Sequence, residues 1–150
     1  MRKYSKNDLI ILQKFVDTID NEIVVDKSNR YECDPINKEV FVSNKDYEEL
    51  DYQFLEWFQK QPEFTEMNIV LLSILHEIGH CMTYQEQRNE QRDTIENMLV
   101  FMFEQGVITE KEMNFAYFSI ECERLATMWG VEYFKNNRKQ CLELAEMLGL

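Results

Sequence analysis

Glycine and proline are scarce in this chain, 4 and 2 among 150 residues. So few backbone breakers exclude a collagen-like, linker-like or low-complexity protein. Long hydrophobic runs are missing too. Leu9–Leu12 and Ile69–Leu72 are the longest aliphatic stretches, far short of the ~20 residues that span a bilayer. The first residues offer neither a full signal-peptide core nor a small-residue cleavage site, so a cytoplasmic protein is expected. Cysteine has no paired spacing: Cys33, Cys81, Cys122 and Cys141 are scattered, which excludes a zinc ribbon or a disulfide framework. Four reduced thiols, mostly buried as small apolar groups, are expected instead. Basic charge is short as well. The 16 Lys and Arg stand against 28 Asp and Glu, for a net charge of −12. Such a surface repels nucleic acid and anionic membrane and leaves room for a basic protein partner. What is plentiful is apolar side chain, 45% of residues. At this length that suffices for one domain over residues 1–150 without staples.

Leu9, Leu12, Phe15, Val16 and Ile19 recur at helical spacing, which predicts an amphipathic helix over about 7–20. Three short extended segments follow, Ile23–Val25, Arg30–Cys33 and Val40–Val42. The last two are joined by the turn residues Asp34–Lys38, so a small antiparallel sheet of two or three strands is expected. From Asp46 the pattern turns helical. One helix is predicted over about 46–60, stopping near Pro62. A second runs from about Thr65 through His80 to the polar stretch Gln85–Arg92. A third covers about 93–105 and ends at Gly106. A fourth, opened by the Thr109-x-x-Glu112 capping box, runs to about Asn136, and a last one covers about 138–148. The expected fold class is therefore α+β, predominantly helical, with about five to six helices.

The chain has 2 histidines, and both sit in His76-Glu77-Ile78-Gly79-His80, an H-E-x-x-H pattern. Random placement of this composition gives that pattern roughly once in 600. On a helix, residues i and i+4 share a face, so His76 and His80 can aim two imidazoles at one zinc ion. Glu77 lies about 100° away on the flank. There it can take a proton from a water that the metal has acidified and later deliver it to a leaving amine. The bland alternative, a buried helix whose histidines only pack or bond to backbone, leaves the spacing to chance. A purely structural zinc site leaves Glu77 without a role.

Catalytic zinc needs a third protein ligand and an open position. With no third histidine, the ligand must be Asp, Glu or Cys, and the best region is Ser119–Thr127. On one continuous helix Glu121 and Glu123 face about 200° apart. Glu123 shares its face with Ala116, Ser119, Ala126, Thr127 and Gly130. That small-residue stripe would let this helix approach Gly79 closely. Glu121 sits with the bulkier Tyr117, Arg124, Leu125 and Met128. The stripe favours Glu123, with Glu121, Asp93 or a cysteine as alternatives.

His76-Glu77-Ile78-Gly79-His80, followed by Glu123-x-x-Ala126-Thr127, resembles the gluzincin metallopeptidases, and more narrowly the ImmA/IrrE-type family. That family characteristically carries H-E-[apolar]-G-H and then E-x-x-A-[N/D]; here Thr127 stands where Asn or Asp is usual. The resemblance implies a zincin-like α+β core, one Zn2+ per chain held by His76, His80 and Glu123, and Glu77 as general base. It also implies a cytoplasmic endopeptidase, of a group associated with cutting or inactivating transcriptional repressors on mobile elements.

The partner expected is thus a protein or peptide substrate, not nucleic acid or membrane. Tyr84, one turn beyond His80, is the first candidate to stabilise the oxyanion, followed by Tyr117 and Arg124. A substrate strand could add to Val40–Val42. The competing expectation, from the small size and acidic surface, is a catalytically silent zincin-fold protein that sequesters a partner.

Overall fold

The computed structural model describes residues 3–44 and 67–150. The helix expected over about 46–60 lies outside them. The fold is predominantly helical α+β. Among the described residues there are six helices: α1 (Lys6–Asp17), α2 (Ile69–Met82), α3 (Glu86–Glu104), α4 (Glu110–Ser119), α5 (Glu121–Asn136) and α6 (Arg138–Leu148). Three strands form one sheet: β1 (Val24–Ser28), β2 (Glu32–Asp34) and β3 (Glu39–Ser43).

Local chemistry accounts for the element ends. Ser5 and Asp8 make a reciprocal capping box at the start of α1. The Asn68 side chain accepts from Val70 N–H and caps α2. Gly106 and Gly149 follow α3 and α6 with φ of +72° and +68°, the left-handed conformation that glycine adopts at no steric cost.

The sheet corrects one expectation: it is mixed, not antiparallel. Its order is β1-β3-β2, with β1 parallel and β2 antiparallel to β3. The reason is burial. Val40 and Val42 of β3 are wholly buried, so the most apolar strand takes the middle, where both its edges are paired. The chain must then cross from β1 to the far edge before turning back. That turn carries Lys38 at φ +53°. Asp34 accepts from the backbone of Ile36 and Asn37 within it, and Lys38 reaches Asp20 at 2.9 Å and Glu22 at 2.8 Å. The outer edge of β1 is met by Gln13 of α1, which donates to Ile23 O and accepts from Val25 N–H.

Helix α2 is buried on all sides from Ile69 to Gly79, the mark of a central helix. Only its last turn emerges, and Met82 there is exposed. The sheet packs on one side of α2 and α5 on another. A main core joins α1, the sheet, α2, α5 and α6. A smaller cluster of Leu99, Ile120 and Cys122 ties α3 and α4 to the start of α5.

Two expected helix boundaries differ. The helix expected over about 93–105 begins earlier, at Glu86, and takes in the polar stretch from there on. The long helix expected from Thr109 to Asn136 is broken at Ile120, whose ψ of 140° is extended rather than helical. Ile120 buries its side chain in the small cluster, and α4 and α5 leave it as separate helices.

Candidate metal centre

His76 and His80 lie one turn apart on α2, and Glu123 comes from the first turn of α5. The chain brings these three together through close helix packing. A Cβ on Gly79 would run into the carbonyl oxygen of Ala126, and one on Gly130 would meet Leu75 Cβ at 3.1 Å. The small stripe thus acts as expected from Ala126 to Gly130. It fails before Ile120: Ser119 belongs to α4 and is exposed.

The donor atoms converge. Oε2 of Glu123 is 3.0 Å from His76 Nε2 and 2.9 Å from His80 Nε2, and the two Nε2 atoms are 3.1 Å apart. Glu123 and His76 are each 2% exposed. These residues could hold a metal ion. Proton accounting supports the fit. The Thr127 hydroxyl donates to the Glu123 carbonyl at 3.1 Å, so its 2.8 Å contact with His76 Nδ1 is a bond that it accepts. His76 therefore carries a proton on Nδ1, which leaves Nε2 as the ring atom that faces the Glu123 carboxylate. A cation seated between Nε2 and the carboxylate would satisfy lone pairs on both that are cut off from water. Ligands bound to one tetrahedral centre at about 2.0–2.1 Å stand roughly 3.3 Å apart, close to the separations here. An N/N/O donor set suits zinc.

The surroundings hold Glu123 in its charged form. Burial opposes its charge, but the neighbouring imidazoles outweigh that and keep its carboxyl well below the usual carboxylate range. Its place in the first turn of α5 adds the favourable end of the helix dipole. The Tyr117 hydroxyl donates to Oε1 at 2.7 Å, and Arg92 Nη1 lies 3.8 Å from the same oxygen. Oε1 is thus held by Tyr117 while Oε2 faces the imidazoles.

The three residues open into a cleft of about 440 Å³, lined also by Glu77, Cys33 and Glu32. Glu77 is 6% exposed, and burial raises its carboxyl above the ordinary value. The alternatives to Glu123 lie elsewhere. Glu121 is exposed, 3.7 Å from Arg88. Asp93 is exposed and pairs with Arg92. Cys81 contacts Cys33.

Tyr84 lies beyond the end of α2 and does not line this cleft, whereas Tyr117 and Arg92 do. Tyr117 was expected only as an oxyanion donor; the break at Ile120 hid its bond to Glu123, because on one continuous helix it falls on the Glu121 side. One sequence signal marks the break: Glu121 and Glu123 crowd the first turn of a new helix, where acidic residues are favoured. Val40–Val42 cannot receive a substrate strand, since β3 is paired on both edges; the wall of the cleft is β2.

Compared with protein-family models, curated proteins and solved structures, the chain matches none. Among the described residues no helix is long and apolar enough to cross a membrane.

Proposed function

We propose that the protein is a zinc-dependent endopeptidase, with His76, His80 and Glu123 as ligands and Glu77 as general base. The observation that carries this is the convergence of three donor atoms within about 3.1 Å of one another at a cleft that also contains a buried Glu77. Zinc bound there supplies Lewis acidity, polarising a carbonyl and acidifying a water.

The chain's own residues do the rest. The Glu77 carboxylate, made more basic by burial, accepts the proton of the attacking water and returns it to the leaving amine. Thr127 fixes the His76 tautomer, and Tyr117 fixes the orientation of the Glu123 carboxylate. Arg92 brings a positive charge to the cleft, where it would offset developing negative charge on the substrate oxygen. Among the described residues β2 is paired on one edge only, and its Glu32 and Cys33 line the cleft, an arrangement that suits an extended peptide. The motif resemblance adds a regulatory, repressor-like protein in the cytoplasm as the class of substrate.

Purified without a metal-affinity tag and supplied with zinc, the protein should bind one equivalent and cleave peptides from a mixed library. Glu77→Gln should retain the zinc and lose cleavage by at least a hundredfold. Full retention of zinc with no cleavage by the unaltered protein would leave a binding role in place of a hydrolytic one.

A further inference from the structure

Cys33 and Cys81 are free thiols, 48 positions apart in sequence, whose sulfurs stand 3.1 Å from each other. The two sulfurs are thus about 1 Å from disulfide bonding distance. Cys33 is the middle residue of β2 and Cys81 lies in the last turn of α2, and these elements pack together. Neither residue is fully buried, and Cys33 lines the cleft. The other two cysteines differ on each count. Cys122 and Cys141 are buried in separate clusters, and burial pushes their thiols up to about 11 and about 12. None of the four coincides with a proposed metal ligand.

We propose that Cys33 and Cys81 form a peroxide-responsive modification site, whose oxidation staples the β2 wall of the cleft to α2 beside His80. Hydrogen peroxide is the oxidant. One sulfur attacks the O–O bond and takes a hydroxyl group, giving a sulfenic acid and one water. The second sulfur attacks the first, forming the S–S bond. The displaced hydroxide leaves as water with the second thiol's proton. Two thiols and one peroxide thus give one disulfide and two waters, and the two electrons pass from sulfur to peroxide. An open dithiol leaves β2 held to α2 only by packing, whereas the disulfide fixes the wall on which Cys33 sits. The site stands on the sulfur geometry and does not depend on the hydrolytic function.

The test treats the full chain with hydrogen peroxide and alkylates the remaining thiols in denaturant. The product is then digested without reductant and its peptides are weighed. The expected result is a monomer that has lost two of its four alkylatable thiols. One peptide pair should join Cys33 to Cys81, and dithiothreitol should reverse the loss. Cys33→Ser and Cys81→Ser should each abolish the pair, while Cys122→Ser should leave it intact. Four unreacted thiols would overturn the proposal. So would a bridge involving Cys122 or Cys141, bridges only between chains, or irreversible sulfinic acid at Cys33 or Cys81 without a bridge. The unaltered chain decides the matter even if a serine variant fails to fold.

Discussion

The Tyr117 hydroxyl donates a 2.7 Å hydrogen bond to Oε1 of Glu123, the carboxylate whose other oxygen faces His76 and His80. The bond links α4 to the first turn of α5 across the break at Ile120. Outer partners of this kind typically contribute 10–100-fold to metal affinity. Tyr117→Phe keeps the ring packed against Phe118 and removes only the donor, and Arg92 at 3.8 Å is too far to replace it by a direct hydrogen bond. The expected outcome is zinc affinity about 10–100-fold weaker, with helix content unchanged, measured by competition with a chromogenic chelator. An unchanged affinity would show that Glu123 is oriented without Tyr117.

Gly79 allows α2 to lie against the backbone of Ala126. A methyl group at position 79 meets that backbone, which cannot swing aside as a side chain can. Gly79→Ala should therefore cost about 1–3 kcal/mol as overpacking, despite its better helix propensity, and should weaken zinc binding by spreading α2 from α5. Gly130→Ala is the internal comparison. Its methyl group meets Leu75 and His76 atoms at 3.1–3.3 Å, and a propensity gain of about 1 kcal/mol offsets part of the strain. Urea denaturation of the two variants should rank Gly79→Ala as clearly the more damaging.

Much of the centre was legible in the sequence because it depends on local periodicity. The i, i+4 spacing that puts His76 and His80 on one face holds on any helix, and small residues at Ala126, Thr127 and Gly130 mark a close crossing wherever the partner helix lies. The bond from Tyr117 to Glu123 was illegible because it depends on the extended backbone at Ile120. No glycine or proline marks that residue, and its side chain is held by contacts with α3 and α4. The mixed sheet was illegible for a similar reason. Strand residues declare their faces, but the middle place of β3 follows from which strand the rest of the fold covers. The Cys33–Cys81 contact spans 48 positions and two element types, and no spacing rule reaches that far.

Lys38 sits at φ +53° in the β2–β3 turn, and its ammonium reaches Asp20 and Glu22. The hydrogen bond from Lys38 lowers the Asp20 carboxyl below its ordinary 3.8. A carboxyl lowered on folding contributes stability that is complete above the unfolded value and is lost as the pH falls through the folded one. The contribution of Asp20 should thus be present at neutral pH and disappear below about pH 4. Asp20→Asn should lower the melting temperature slightly at pH 7 and match the parent protein near pH 2, because the pair is only half-buried and its worth is small. Equal differences at both pH values would assign the effect to the backbone bond that Asp20 accepts from Glu22.

The single hydroxyl of Thr127 serves two partners. It donates to the Glu123 carbonyl and accepts from His76 Nδ1. Thr127→Val has nearly the same shape and removes both bonds, leaving the Nδ1–H of a 2% exposed histidine without its acceptor. The metal-free protein should lose about 1–3 kcal/mol, the usual cost of a buried unsatisfied group. Zinc affinity should fall by about 10–100-fold as the ring is freed to rotate or to change tautomer. Thr127→Ser keeps the hydroxyl and should restore most of the affinity, with a modest stability loss from the missing methyl group. Calorimetric zinc titrations and urea curves on both variants separate the two roles. If serine fails to restore binding, the methyl group rather than the hydroxyl holds His76, and the proton assigned to Nδ1 loses its support.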